Sequence, residues 1–256
     1  MPASTGSAPA QYGLILDNFY TFLTNLHLPA SAIKRPPEGG WPSYTSEVYK
    51  KSHKSAITMN VLRHLPYLEG GCDEGKHIHC KCHVVDYSTP SGALRPFTQM
   101  ELSTEIQVLG GMHGAKIKNV VSFATACESD GRVILFDTNT GLIFEDSRGV
   151  RHTRCEPIEQ YFNELKAKYE QLKLIPILGT ASILDAEGVE DVPYEVPFPE
   201  MQPNTTFPSK KDVLWIRHIY RSHGWPNLKE FRKDAVRDGI KEYMEMRLQD
   251  KVDACR

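Results

Sequence analysis

The sequence predicts an α+β protein in which helices cover a mostly antiparallel sheet of about five strands. Two observations support this. Apolar residues recur at helical spacing near the amino end, whereas from residue 76 the hydrophobic period changes to two and turns separate short runs rich in Val, Ile and Phe. Strands joined by short turns pair antiparallel. We therefore expect one core domain over residues 13–185.

The amino-terminal region predicts a helix over residues 13–27. Its apolar side chains recur at helical spacing, at Ile15, Phe19, Phe22 and Leu26. Pro29 follows the pattern and ends it, because proline has no amide hydrogen to donate. Residues 1–12 lack this pattern and are expected to form a disordered tail.

A second helix is expected from Ser46 to His64. A loop rich in Pro and Gly, KRPPEGGWPSY, precedes it, and Pro66 stops it. Helical spacing predicts that Ile57, Val61 and Leu65 face inward.

The stretch KHIHCKCH packs three histidines and two cysteines into eight residues, at the start of an expected strand over KHIHCKCHVVDY. Side chains alternate along a strand, so His77, His79, Lys81 and His83 would share one face and Cys80 and Cys82 the other. Zinc bound by a His-x-His pair with a third ligand is one interpretation. We expect instead an ordinary strand, with no metal and no cofactor.

Further strands are expected in STEIQVLGG, KNVVSFATACE, RVILFD and LIFED. The last two are joined by TNTG and predict a tight hairpin in which Asn139 and Gly141 take positive φ angles. A strongly amphipathic helix is expected next, over about 158–172, covering one face of the sheet, with Pro157 in its first turn.

The carboxyl-terminal part divides into two regions of opposite charge. Residues 186–208, which we name the strap, hold five prolines and five acidic residues and are expected to be extended. Residues 209–256 hold 12 Lys and Arg against 8 Asp and Glu, and predict a helix capped by Ser209 and a last helix over about 227–250. The two regions should attract each other.

Candidate catalytic groups lie near turns of the expected sheet. His113 lies in the glycine-rich run LGGMHG, where the backbone can approach a ligand and the imidazole titrates near neutrality. Glu105 and Asp137 could act as general acid or base. The plain alternatives are a turn around His113 and solvated carboxylates.

Two further groups of residues are candidates for binding. The first would hold a cationic substrate through carboxylates and aromatic rings, at Trp41, Tyr44, Glu101 and Glu145. The second mixes cations with aromatic residues in the carboxyl-terminal helices and could contact phosphates, at Arg217, Arg221, Arg232 and Lys233. Amphipathic helices whose cations face water or the strap explain the second pattern equally.

Composition limits the class of protein. The chain has 256 residues, a net charge of −2 and 40% hydrophobic residues, with no apolar run long enough to cross a bilayer. We expect a cytoplasmic protein that binds neither DNA nor membranes. The six cysteines, without a signal peptide, are expected to be reduced thiols.

The element order, with a late hairpin VILFDTNTGLIFED followed by the helix EPIEQYFNELKAKYEQL, resembles the SUKH superfamily over residues 13–175. That superfamily includes fungal regulators of cell-wall synthesis and bacterial toxin-immunity proteins, and the resemblance implies partner binding without chemistry. The stretches WPSYTSEVY, LRHLPYL and IYRSHGWP are also similar to proteins of filamentous fungi that include arginine-containing cyclodipeptide synthases. No residue here matches a catalytic motif of those enzymes.

Two functions therefore stay open at this point. The first is a small enzyme of fungal specialised metabolism, most concretely a cyclodipeptide synthase that takes its arginine from aminoacyl-tRNA and works in a pocket between sheet and strap. The second is a SUKH-like interaction module that binds a protein partner. Segregated charge and a strap that could close over a cleft favour the enzyme.

Overall fold

The protein is described here from a computed structural model, over residues 8–69, 76–95, 116–127, 131–146, 154–191 and 206–254. Helices and antiparallel sheets are both present, which confirms the α+β class. The helices are α1 Ala8–Thr24, α2 Ser46–Lys51, α3 Ala56–His64, α4 Pro90–Ala93, α5 Ile158–Glu170, α6 Lys210–Ser222 and α7 Lys233–Ala254. Short 3-10 helices span Ala30–Ala32 and Ile117–Asn119.

The strands form one large sheet and two small ones within the described residues. They are β1 Ile33–Lys34, β2 Tyr67–Leu68, β3 His77–His79, β4 Cys82–Val84, β5 Val120–Ala126, β6 Val133–Asp137, β7 Leu142–Asp146, β8 Arg154–Pro157, β9 Leu174–Pro176 and β10 Ile183–Asp185. The large sheet has six strands in the order β3-β4-β5-β6-β7-β8, so each strand pairs with its neighbours in sequence. Every pair is antiparallel, but the predicted count of five strands for this sheet was too low.

The stretch predicted to be one long strand is a hairpin. His79 and Cys82 pair across a two-residue turn at Cys80 and Lys81, and Lys81 takes a φ of 50°. The turn reverses the chain, so the expected alternation of side chains along a single strand was wrong. His77 and His83 instead face each other across two neighbouring strands.

The hairpin between β6 and β7 lies where the sequence predicts it. Phe136 pairs with Ile143, and Gly141 has a φ of 75° in the connecting turn. Asn139 does not take a positive φ, contrary to the prediction. Its amide instead donates to the Asp137 carboxylate at 2.9 Å, which stabilises the turn without a left-handed residue at that position.

The predicted helix from Ser46 to His64 is interrupted. The chain is extended at Ser52 and restarts as α3 at Ser55, whose hydroxyl accepts from the Thr58 amide at 3.2 Å. Val61 and Leu65 are buried, as predicted, but Ile57 is 52% exposed. The first helix begins at Ala8, so it includes residues that were expected to belong to the disordered tail. Pro157 lies immediately before α5 and is its N-cap residue.

The core lies between the large sheet and the helices α1 and α5. The Phe19 ring of α1 lies 4.9 Å from that of Phe162 on α5, which in turn lies 5.5 Å from Phe123 on β5. All three are buried. The periodic aromatic residues of the sequence therefore form one continuous layer from helix to sheet.

Helices α6 and α7 pair through a buried polar cluster. Ser209 and Asp212 form a reciprocal capping box at the start of α6. The Asp212 carboxylate also accepts from the Tyr243 hydroxyl and the Arg247 guanidinium of α7. The predicted cap at Ser209 thus also positions the Asp212 carboxylate, which bonds α6 to α7. The last helix begins at Lys233, six residues later than predicted.

The strap is described only at its two ends, 186–191 and 206–208; the rest lies outside the described residues. Asp191 accepts two hydrogen bonds from Arg221, so the first part of the strap lies on α6. No helix in the described part of the chain is long and apolar enough to cross a membrane.

One prediction about cysteine is corrected. Cys80, Cys82 and Cys155 are free thiols, but Cys127 is disulfide-bonded. Reduced thiols throughout were therefore the wrong expectation.

Candidate functional site

A hollow of about 520 Å³ opens where the link between α2 and α3 meets the end of α4 and the start of β5. This volume lies within the range of small-molecule sites. Its described lining consists of Lys51, Ser52, His53, Lys54, Leu62, Tyr87, Ala93, Leu94, Arg95, Ile117, Lys118 and Val121. The lining includes no described residue of the strap, so this hollow differs from the pocket predicted between sheet and strap.

The break between α2 and α3 shapes one wall of the hollow. The Ser52 hydroxyl accepts from the amide of Lys54, and the Lys54 ammonium donates to the carbonyl of Val120 at 2.7 Å. On the other side of the break, the Ser55 amide and the Thr58 hydroxyl both donate to the Lys118 carbonyl, at 2.8 and 3.0 Å. These bonds fasten the segment before β5 to α3.

The floor of the hollow is apolar and its mouth carries exposed apolar side chains. Leu62, Tyr87 and Val121 are buried, and the Tyr87 hydroxyl is engaged by donating to the Ser122 carbonyl at 2.9 Å. Leu94 and Ile117 are 38% and 52% exposed. A ligand with an apolar body would remove both from water.

The described lining of the hollow is basic. Its described lining holds four Lys and Arg side chains and one His, but no Asp or Glu. Lys51 also pairs with Glu47 in an exposed i,i+4 contact, which contributes little and can yield to a ligand. The hollow therefore suits a ligand that combines an anionic group with an apolar body.

The predicted catalytic residues are not assembled in the described part of the structure. His113, Glu105 and the predicted substrate contact Glu101 lie outside the described residues. Asp137 is 2% exposed and is used in the β6–β7 turn, where it binds the Asn139 amide. In the described structure Asp137 is therefore not the solvated carboxylate of the plain alternative, and its role as a general acid or base stays a prediction.

The two predicted aromatic contacts also have structural partners. The Trp41 indole donates to the Leu65 carbonyl at 2.9 Å, and the buried Tyr44 hydroxyl donates to the Tyr87 carbonyl at 3.1 Å. Tyr44 is therefore bonded to Tyr87, which lines the hollow, and is not itself part of the described lining. Substrate binding by Trp41 and Tyr44 stays a prediction.

Glu145, the remaining predicted substrate contact, belongs to a buried cluster beneath α5. One oxygen of its carboxylate accepts from the Tyr161 hydroxyl at 2.9 Å, and the other lies 3.8 Å from His79 Nε2 and 3.7 Å from Arg132 Nε. Burial raises the pKa of Glu145, but these neighbours outweigh it and the pKa lies below its ordinary value. Burial also lowers the pKa of His79. Glu145 is thus buried, and its role as a substrate contact stays a prediction.

The predicted phosphate contacts do not form one exposed basic surface. Arg217 is 2% exposed, and its guanidinium donates to three backbone carbonyls. Arg221 pairs with Asp191. Arg232 donates to the Ser222 carbonyl and Lys233 to the Thr24 carbonyl. Each is used to hold elements of the fold together.

Sequence reasoning missed the residues of the hollow. A local signal existed in the run KKSHK at 50–54, which places three lysines and a histidine in five residues. In the predicted continuous helix, the side chains of this run would point in different directions. The interruption at Ser52 makes Lys51, His53 and Lys54 line the same hollow.

Comparison with protein-family models, with curated proteins and with solved structures finds no match. The resemblances to the SUKH superfamily and to cyclodipeptide synthases therefore stay predictions from sequence.

Proposed function

We propose that this protein is a binding module without catalysis, whose hollow between the α2–α3 link and β5 takes a small amphipathic anion. A carboxylate or phosphate group would meet the cationic rim, and an aryl or short acyl body would rest on the apolar floor. The observation that carries the proposal is a lining that joins basic side chains to buried Leu62 and Val121 without a described carboxylate.

The interaction-module alternative from the sequence fits this arrangement better than the enzyme does. An acyl-transfer enzyme needs a base within hydrogen-bond reach of the attacking group. The described lining holds one histidine, His53, which is exposed, and no carboxylate. A cationic, arginine-derived substrate would also be repelled by this rim.

The proposal is tested by calorimetric titration of the full-length protein with octanoate and with octylammonium. The two probes share an apolar chain and differ in charge. We expect octanoate to bind at least tenfold more tightly, because the rim is cationic and the floor accepts either chain. Equal affinities would overturn the proposal.

Paired variants locate the binding to this hollow. Lys118→Glu places a negative charge on the rim, while the backbone carbonyl that holds α3 is retained. Lys50→Glu makes the same charge change on a neighbouring exposed residue that does not line the hollow. We expect a loss of at least tenfold in octanoate affinity for the first variant, or about 1.4 kcal/mol, and little change for the second.

A second pair of variants tests the apolar part of the site. Ile117→Ser and Leu228→Ser each remove an exposed apolar side chain, the first at the mouth of the hollow and the second elsewhere. Only the first should weaken octanoate binding. RNA that co-purifies with the protein, or a new cyclic dipeptide in a host that expresses it, would overturn the proposal in favour of the tRNA-dependent enzyme.

A further inference from the structure

A groove of about 280 Å³ lies between α6 and α7 and shares no described residue with the hollow beside β5. Its described lining combines aromatic and imidazole rings with one carboxylate, at Trp215, His218, His223, Tyr243 and Glu242. The volume is just under the usual range of small-molecule sites, so the groove suits a ligand of few atoms.

The rings of the groove form a continuous surface that both helices build. The Trp215 ring stacks on His218, one turn later in α6, with ring centroids 5.0 Å apart and an angle of 25° between the planes. It also contacts Tyr243 of α7, at a centroid distance of 6.4 Å. Tyr243 is held in place because its hydroxyl donates to the Asp212 carboxylate. The aromatic surface is therefore arranged before a ligand arrives.

The charge of the groove is opposite to that of the hollow. Its described lining holds one carboxylate, that of Glu242, and no Lys or Arg. Glu242 is exposed and has no ion pair with another described residue, whereas Glu245 on the same helix lies 3.9 Å from the Lys241 ammonium. The Glu242 carboxylate can therefore face a cation in the groove.

The remaining wall offers a polar atom and an apolar surface to the rest of a ligand. The Nδ1 atom of His223 is buried and has no hydrogen-bond partner among the described residues. A buried nitrogen without a partner costs free energy, so the His223 ring gains by turning this atom toward a hydroxyl in the groove. Met246 is 36% exposed, and methyl groups of a ligand would cover it.

We propose that this groove binds a small quaternary ammonium compound that carries a hydroxyl group, a ligand of the choline class. The faces of aromatic rings carry partial negative charge and attract cations, and a trimethylammonium group also presents apolar methyl groups to them. Helix packing alone accounts for Tyr243, which is 1% exposed, but it does not require the carboxylate of Glu242 beside the rings. The proposal concerns a second site and does not depend on the function proposed for the hollow.

The test is a titration of the isotope-labelled, full-length protein with choline, followed through the indole N–H resonances of its three tryptophans. A parallel titration uses the alcohol in which a tert-butyl group replaces the trimethylammonium group. The two probes share their shape and their hydroxyl and differ in charge. We expect choline to shift the Trp215 resonance and to bind more tightly than the neutral alcohol by about fivefold or more.

The other two tryptophans are internal controls. The indoles of Trp41 and Trp225 donate to backbone carbonyls and do not line the groove, so their resonances should stay in place. Trp215→Phe removes one indole signal and thereby identifies it. Equal affinities for the two probes, or a Trp215 resonance that choline does not shift, would overturn the proposal.

A matched pair of variants locates the cation in the groove. Glu242→Lys reverses the charge of the exposed carboxylate and should weaken choline binding by about tenfold or more, while binding of the neutral alcohol changes little. Glu245→Lys makes the same change on an exposed residue of α7 that does not line the groove, and should leave choline binding within about twofold of wild type. An equal effect of the two variants would place the cation elsewhere and overturn the assignment.

Discussion

The buried guanidinium of Arg217 donates from Nη1 to the carbonyl of Val189 at 2.8 Å, and thereby ties α6 to the start of the strap. Its other nitrogens donate to the carbonyls of Leu172 and Ala186, at 3.0 and 2.9 Å. One side chain therefore satisfies three backbone acceptors in the loops that follow α5 and β10.

Arg217→Met should destabilise the protein by about 3–5 kcal/mol, because three buried carbonyls lose their donor at once. Arg221→Met removes a half-exposed partner of Asp191 four residues away and should cost less than about 1 kcal/mol. Urea unfolding followed by circular dichroism measures both. Similar losses for the two variants would contradict the structural role assigned to Arg217.

The Asp212 carboxylate makes acid stability depend on the α6–α7 pair. Burial raises the pKa of Asp212, but hydrogen bonds from Tyr243 and Ser209, together with Arg247, outweigh it and lower the pKa below its ordinary value. A depressed pKa in the folded state stabilises the protein above the unfolded pKa, about 3.9, and this contribution is lost as the pH falls through the folded value.

Asp212→Asn should therefore cost about 3–5 kcal/mol at pH 7, because the buried Arg247 loses the opposite charge of Asp212, and should lose less additional stability than the wild type below about pH 4. Asp234→Asn is the control, because Asp234 is 80% exposed and pairs only on the surface of α7. Urea midpoints between pH 2.5 and 7 measure the difference. Parallel pH profiles for wild type and Asp212→Asn would contradict this explanation.

Two buried tyrosines should respond in opposite ways to loss of the hydroxyl. Tyr161→Phe removes the donor to the buried Glu145 carboxylate and should cost about 1–3 kcal/mol. Tyr20 is also fully buried, but its hydroxyl has no hydrogen-bond partner among the described residues. Tyr20→Phe should be neutral or stabilising by about 1 kcal/mol. Thermal unfolding distinguishes the two, and equal destabilisation would contradict the prediction.

Gly141, the glycine of the β6–β7 turn, should tolerate substitution poorly. Its φ is +75°, and an added Cβ would lie 2.7 Å from the Tyr12 hydroxyl oxygen. Gly141→Ala should cost at least about 1–2 kcal/mol, because a left-handed conformation and a close contact act together. Gly188→Ala meets open space and should stay within about 0.5 kcal/mol of wild type. Unfolding midpoints give the comparison, and a tolerated Gly141→Ala would show that the turn can rearrange.

The sequence by itself determined the elements whose signals are local. Helical spacing predicted α1 and α5, Ser209 predicted the start of α6, and the run from Val133 to Asp146 predicted a hairpin, since spacing, caps and turns act over a few residues. Local signals failed at Ser52 and at Lys81, where a single pattern spans two elements.

The tertiary structure alone decided which polar groups meet. Arg217 finds its carbonyls 28 to 45 residues away, and Cys127 lies beside histidines 44 and 50 residues earlier in the chain. A pattern of charges cannot distinguish a solvated arginine from a buried one, because burial depends on the packing of distant segments. For the same reason, the sequence does not reveal that Lys51, His53 and Lys54 line one hollow. They do so because the break at Ser52 places this basic run near the start of β5.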